Sequence, residues 1–466
     1  MTGALETLRV TKIDDFLAEC VRGSAIASYA AALVVDGEVA LAAGGELRAG
    51  MGERVVTTTP FHICSCSKAF TALLFARLVE RRLTSWDAAV ADIVPAFELP
   101  DAWVSRHATF RDLAGMRVGL QRNGIAEWGF RPEARVEERL GRVRFMSFDA
   151  PFRDRFSYSN LCYIALAKAA AQICGLPAEA CIREFVLQPL KLANAGFRGT
   201  AWTALPHMPI EGRMTPVPEL TGDNSQGSAR VYLSAEDAAR WLQAMLEVCL
   251  KAVDGQGGEA AEMFACQSLV RPRVCARPSP SAWGYGFGWT LAEYRGRQIF
   301  SHGGGGRGWR ASMLLDPATR AGVMVMLSHE GDEAQALALD ILELASGRVP
   351  QRRESSGPAV PVETALRPRE GTLRARDVLG VYQGAVTGRV RISQASDSRL
   401  HFALDDAPAM NGSLDPLGDD IFELCFDSIA MTRMPHDPIF KIRFDRNESG
   451  AINCASDYFG QLRRID

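Results

Sequence analysis

The sequence changes texture once, across residues 349–371, and that change limits the fold more than any other feature. This stretch is rich in Pro, Arg, Glu and Ser and has no periodicity, which is the composition of a linker. Beyond it lie GVYQGAVTGRVRISQ, RLHFALDD, IFELCFD, IFKIRFD and AINCAS, short alternating runs that recur roughly every 10–15 residues. They predict a small all-β barrel or sandwich over residues 372–466. The segments RVRISQASDSRLHF and LDDAPAMNGSLDPLGDD contain exposed-looking loops.

Residues 1–348 are organised differently. Residues 5–21 place apolar side chains with helical period. SYAAALVVDGEVAL follows, two apolar runs joined by Asp36-Gly37, the dipeptide preferred in a type I′ hairpin. Near the other end, WRASMLLD and AGVMVMLSHE flank a turn at 316–320, and a helix over 333–344 follows. The middle, about 65–250, is rich in Ala and Leu, with the clearest helical spacing at 66–82, 160–174 and 235–251. An antiparallel sheet assembled from both ends of a long domain accounts for this order. The fold class is α+β.

Composition narrows the functions. Hydrophobic residues make up 47% and charged residues 23%, as in soluble globular chains. The net charge of −3 leaves no basic excess for nucleic acid. The N-terminus has no basic segment followed by an apolar one, and no apolar stretch is long enough to span a bilayer. Eleven cysteines, an odd number, are scattered through apolar segments such as those of Cys162, Cys174 and Cys249. This suits reduced thiols in a cytoplasm better than a disulfide framework. Cys64 and Cys66 lack companions at zinc spacing, so neither metal nor cofactor is expected.

Three short motifs can carry chemistry. In Ser65-Cys66-Ser67-Lys68, read as opening a helix, positions i and i+3 share a face. A serine hydroxyl needs a base, and a lysine serves if its surroundings favour the neutral amine. The helix N-terminus adds N–H groups able to hold an oxyanion. In Phe156-Ser157-Tyr158-Ser159-Asn160, Tyr158 can share a proton with the lysine and Asn160 can meet a substrate amide. In Ser301-His302-Gly303-Gly304-Gly305-Gly306-Arg307-Gly308-Trp309, glycines follow the strand RQIFSH and admit a substrate backbone. Gly303–Gly308 also fits a dinucleotide fingerprint, but a strand pattern follows it instead of a helix. Singly, each motif has a structural explanation: a capped helix, a packed tyrosine, a glycine-rich turn.

Jointly they are specific. Their order, with gaps of about 90 and 140 residues, resembles the serine β-lactamase and penicillin-binding-protein superfamily. The nearest branch holds class C β-lactamases, D-aminopeptidases, esterases and peptide-cyclising thioesterases. Phe110-Arg111-Asp112-Leu113 with Gly119-Leu120, Ser234-Ala235-Glu236-Asp237 with Arg240-Trp241, and Trp283-Gly284-Tyr285-Gly286-Phe287-Gly288-Trp289 add to the likeness over 1–348. The trailing β unit resembles the lipocalin-like barrels of D-aminopeptidases and penicillin-binding-protein-type thioesterases.

The resemblance implies a β-lactamase-like antiparallel sheet flanked by helices, with the site between sheet and helical region. It implies Ser65 as nucleophile, Lys68 as its base, Tyr158 as proton relay and Asn160 as a substrate ligand. It implies an oxyanion hole from the backbone N–H groups of Ser65 and Gly305. His302 is the fourth catalytic candidate, an imidazole able to polarise the lysine–tyrosine pair or help move a proton, and it takes the place where many relatives have Lys, which favours esterase, aminopeptidase and thioesterase relatives over β-lactamases. Gly303, Gly304, Arg307 and Trp309 are candidates to line the substrate pocket, and Asn224 to rim it. Cys66 reads as a small buried residue, His62 as structural, and His107 and His207 as solvated.

The expected activity is that of a serine hydrolase or acyltransferase on a peptide, amide or ester, with D-residues a favoured class. The alternative is a thioesterase that cyclises and releases a nonribosomal peptide from a carrier protein. A non-catalytic sensor of the same fold is the reading from another class. Partners are a small-molecule or peptide substrate, with no nucleic acid and no membrane.

Overall fold

The computed structural model describes residues 12–22, 26–121, 134–210, 212–219, 222, 225–270, 280–329, 331, 333–348, 373–395, 398–428, 440–446, 450, 452–456 and 459–466. The linker reading of 349–371 and the reading of Asn224 lie outside these residues.

Strands β1 (Ser28–Val35) and β2 (Glu38–Gly45) form the first hairpin. Asp36 and Gly37 turn it with φ of 49° and 89°, both positive as a type I′ turn requires. Six more strands come from the far end of the domain: β3 (Ser268–Leu269), β4 (Ser281–Tyr285), β5 (Thr290–Tyr294), β6 (Arg297–Gly306), β7 (Trp309–Asp316) and β8 (Ala321–Leu327). They make one antiparallel sheet in the order β2-β1-β8-β7-β6-β5-β4-β3. β1 pairs with β8, Tyr29 opposite Leu327, so the two ends of the domain meet inside one sheet, one strand in from its β2 edge.

Helices α1 (Lys12–Val21), α2 (Ser67–Glu80), α3 (Phe110–Ala114), α4 (Val136–Leu140), α5 (Asn160–Cys174), α6 (Ala235–Val253) and α7 (Glu333–Ala345) frame this sheet. Both sheet faces are covered, so the strands are apolar on both sides and divide their side chains by alternation. Tyr29, Ala31 and Leu33 join Val323 and Val325 in a smaller core closed by Ile13 and Leu17 of α1 and Leu337 and Ile341 of α7. Ala30, Ala32 and Val34 join Met324 and Met326 in the larger core with α2, α5 and α6. α2 and α5 are buried over most of their surface, so apolar residues occupy most of their circumference. Ser234 caps α6, accepting from Asp237 N at 3.1 Å. One turn on, Trp241 stacks on Phe70 of α2 with centroids 3.7 Å apart.

The barrel is closed and has eight strands: β9 (Gly380–Gly384), β10 (Gly388–Gln394), β11 (Leu400–Leu404), β12 (Gly412–Gly418), β13 (Ile421–Phe426), β14 (Lys441–Arg446), β15 (Ile452–Ser456) and β16 (Gly460–Arg464). Alternate residues such as Val390, Ile392, Phe402, Leu414, Phe444 and Leu462 fill it. β12 is a strand that the sequence reading does not name among its alternating runs. It escapes notice because its register shifts between Pro416 and Gly418, which breaks the alternation a strand is recognised by.

The barrel touches the larger domain through its first hairpin. Val386, at the β9–β10 turn, is buried and belongs to the larger core. Arg142, just past α4, donates from Nη1 to Val386 O at 2.5 Å and pairs through Nη2 with Asp406. Among the described residues, no single helix is long and apolar enough to cross a membrane.

Candidate active site

The nucleophile candidate lies where a short strand, Phe61–His62, runs into a helix. The sequence reading gives that helix as 66–82, with Ser65 at its opening. In the structure a 3-10 turn, Cys64–Cys66, comes first and passes directly into α2 at Ser67. Cys64 holds a left-handed φ of 49°, a conformation disfavoured for a side chain bearing Cβ and concentrated at functional turns.

Ser65 and Lys68 meet as the i, i+3 spacing requires: Lys68 Nζ lies 3.0 Å from Ser65 Oγ. Lys68 is fully buried. Its Nζ donates to Asn160 Oδ1 at 2.7 Å and to Ser228 O at 2.8 Å. Those two acceptors suffice for the protons of a neutral amine and leave its lone pair for the serine proton. From the other side Tyr158 OH donates to Ser65 Oγ at 2.7 Å. The hydroxyl is thus held between a base and a phenol, the arrangement needed to remove its proton and return one to a leaving group.

Tyr158 is placed by its neighbours. Ser157 N donates to Met116 O at 2.7 Å, and Ser157 Oγ to Leu120 O at 2.8 Å. Residues 116–120 are in turn anchored by α3, whose Thr109 and Asp112 form a capping box. The Asp112 carboxylate is buried and takes Arg117 Nε at 2.7 Å and Arg153 Nη2 at 2.8 Å. The FRDL motif therefore builds the platform for the tyrosine. Asn160, the first residue of α5, is buried with its carbonyl turned to Lys68.

The glycine run closes the site. β5 pairs with β6 only as far as Ser301. Gly303 and Gly305 are exposed, whereas Gly304 backs onto the nucleophile turn: a Cβ there would stand 2.2 Å from Ile63 O. Arg307 sits half-buried in the β6–β7 turn. Trp309 is buried, its ring edge-on to Phe61 and Tyr232 and tilted over His62.

His302 is buried beside the site, not presented to it as a surface cation. Its Nδ1 lies 2.7 Å from Gly303 O and its Nε2 3.2 Å from Tyr285 OH. Burial first, and the Lys68 charge second, push its pKa down to about 3. Cys66 Sγ donates to His302 O at 3.3 Å, and burial raises that thiol to about 12, so it is no nucleophile. His62 is buried at the end of its strand, and burial lowers it to about 3. His107 is exposed, but the expectation of a solvated His207 is wrong. Its ring is buried between Ala49 N and Ser328 Oγ, because the loop that carries it forms a small strand, His207–Ile210, packed against the sheet end.

Sequence reasoning missed Ser228 and Tyr285. Ser228 acts through its carbonyl, which no residue type advertises. Tyr285 stands inside the WGYGFGW phrase, where only its hydroxyl could have marked it for a buried polar partner. Arg139 of α4 was missed as well. It is buried, and its Nη1 donates to Ser225 Oγ at 2.8 Å, bracing the loop that brings Ser228 O to Lys68.

A sheet covered on both faces carries a glycine-rich strand opposite Ser-x-x-Lys and Tyr-x-Asn, which brings together the groups that serine acyl transfer needs. The family model described as Beta-lactamase matches residues 13–346, and the chain belongs to that family, whose members include serine hydrolases. Penicillin-binding protein 4 of Amycolatopsis lactamdurans is 25% identical over 361 residues, 74% of this chain and 92% of that protein. The D-aminopeptidase of Cereibacter sphaeroides is 26% identical over 388 residues, 79% of this chain and 69% of that protein. The octameric penicillin-binding protein homologue from Pyrococcus abyssi shares the fold with a TM-score of 0.64 at 19% identity, over 97% of this chain and 100% of that one.

Proposed function

We propose that this protein is a serine hydrolase that acts through an acyl-Ser65 ester on a peptide, amide or ester, in the manner of a D-aminopeptidase or esterase. The observation that carries this is the buried contact of Ser65 Oγ with both Lys68 Nζ and Tyr158 OH. Lys68 takes the Ser65 proton as Oγ attacks the carbonyl. The backbone N–H groups of Ser65 and Gly305 receive the oxyanion. Tyr158 delivers a proton to the leaving group. Water then attacks the ester by the same route in reverse. Asn160, Gly303 and Gly304 hold the substrate amide, Arg307 and Trp309 shape the acyl pocket, and Asn224 rims it. His302 serves the site without a positive charge. The free cysteines among the described residues suit a reducing compartment such as the cytoplasm.

A fluorescent phosphonate followed by intact mass tests the nucleophile. One adduct on the wild type, lost in Ser65→Ala, is expected. No adduct, or an undiminished one on Ser65→Ala, overturns the reading. A panel of D- and L-aminoacyl amides, p-nitrophenyl esters, peptidyl thioesters and nitrocefin then ranks substrates. Nitrocefin turnover is expected to be negligible beside the best amide or ester.

A further inference from the structure

Behind the reactive groups lies a chain of hydrogen bonds that the proposed mechanism does not use. Tyr285 and His302 are both buried, 1% and 6% exposed. Nδ1 of His302 faces Gly303 O at 2.7 Å, and since a carbonyl only accepts, Nδ1 carries a proton. Nε2 faces Tyr285 OH at 3.2 Å. The Tyr163 hydroxyl is a phenolic neighbour of Tyr285. Tyr163 OH donates to Ala114 O at 2.8 Å, so its own proton is committed.

The Tyr285 proton therefore has two states. It is donated to Nε2 if the imidazole is neutral. It must turn away from Nε2 if His302 is protonated and donates from Nε2 itself. The groups around His302 favour the first arrangement. Lys68 is a neighbouring cation when protonated, Tyr285, Tyr163 and Tyr158 are phenols, and Cys66 is a protonated thiol bonded to the His302 carbonyl.

We infer that Tyr285 is a positioning residue that holds His302 as a neutral Nδ1–H imidazole, and that the strand edge at 302–305 thereby selects substrates with no carboxylate on the leaving-group side. A lysine or imidazolium at 302 offers such a carboxylate a charge. A neutral ring with both nitrogens committed offers neither a charge nor a spare N–H. The substrate half of this inference rests on the proposed serine hydrolase activity. The tautomer half does not.

Two measurements on the full-length protein test it. In 15N-histidine-labelled protein, with the His302 signal assigned by its loss in His302→Gln, long-range 1H–15N correlation reads the tautomer directly. The wild type is expected to show Nδ1–H from about pH 5.5 to 8.5. An Nε2–H or cationic ring at neutral pH overturns the inference, whatever any variant does. The second measurement compares kcat/KM for D-alanyl-D-alanine and its C-terminal amide. The wild type is expected to prefer the amide by about tenfold or more. Tyr285→Phe, which removes one oxygen, is expected to change the His302 signal and to narrow that preference by at least about threefold. Tyr163→Phe removes a neighbouring hydroxyl and leaves the Tyr285–His302 contact in place, and it is expected to keep both wild-type values. If Tyr285→Phe lowers both substrates equally with the His302 signal unchanged, the tyrosine is merely structural and the inference fails. If Tyr285→Phe does not fold, the wild-type tautomer and the Tyr163→Phe ratio decide, and a changed ratio in Tyr163→Phe overturns it. Absence of a phosphonate adduct on Ser65 removes the substrate half and leaves the tautomer half to stand or fall by its own spectrum.

Discussion

At the scale of single residues, Lys68 is an amine without exposed surface, set between a serine oxygen, an amide carbonyl and a backbone carbonyl. Lys68→Ala is expected to slow acylation by roughly 10²–10⁴, the range for loss of a general base. Lys68→Arg should do little better, because guanidinium keeps its proton near neutral pH. Phosphonate labelling rates check this, and an Arg variant at half the wild-type rate would make Lys68 a positioning charge. Asp112 supports a pH prediction. Burial alone would raise its carboxyl, but hydrogen bonds from Arg153, from Thr109 N–H and from Arg117 outweigh that and hold it below the usual range. A depressed carboxyl contributes stability above its unfolded value, about 3.9 for Asp, and loses it as the pH falls through the folded value. Asp112→Asn is expected to cost about 3 kcal/mol at pH 7 in denaturant titrations, and less near pH 3. An equal cost at both pH values would contradict it. Ser65, Lys68 and Tyr158 were legible in the sequence because their side chains carry their own chemistry at a fixed spacing. Asp112 was visible only as part of a phrase, since nothing local tells that Arg153 folds back onto it.

At the scale of elements, the glycine run shows how far spacing can be read. Four consecutive glycines announce close approach, but not which of them is approached. The structure separates them: a Cβ on Gly304 would collide with Ile63 O, while one on Gly303 would meet nothing within 4 Å. Gly304→Ala must push β6 away from the nucleophile turn. A shift of about 1 Å in a reacting group lowers rates by about 10²-fold, which is the expected loss in kcat/KM. Gly303→Ala needs no backbone shift, so it should lower kcat/KM by less than Gly304→Ala, only through the methyl it adds at the substrate edge. Equal losses in the two variants would mean that the run serves flexibility and not contact. The same limit governs the strands. Asp36-Gly37 declares its hairpin because a type I′ turn demands positive φ at both positions. β12 stays hidden because its bulge and Pro416 leave no alternation to see.

At the scale of the whole molecule, a change of texture in the sequence marked two kinds of structure, but not their contact. Val386 enters the larger core and Arg142 grips the barrel at Val386 O and Asp406. Neither residue belongs to any local pattern, so only the assembled chain reveals the pair. Arg142→Ala removes a half-buried ion pair and a charged hydrogen bond, which together stabilise by about 1–3 kcal/mol. The expected result is a lower melting temperature for the full-length chain and faster limited proteolysis across 349–371. If cleavage and melting both match wild type, the contact does not hold the barrel in place.

The pairing of β1 with β8 has a further consequence, in the order of synthesis. Ser65 and Lys68 leave the ribosome early, but the strand that carries Gly304 and Gly305 is fixed only when β8 has arrived to bridge it, through β7, to β1. Contacts this distant in sequence form late and slowly, since the loop between them must close first. A growing chain therefore carries Ser65 for some 260 residues before that strand can take its place, and the proposed nucleophile and the proposed oxyanion site come together only when about residue 327 has emerged.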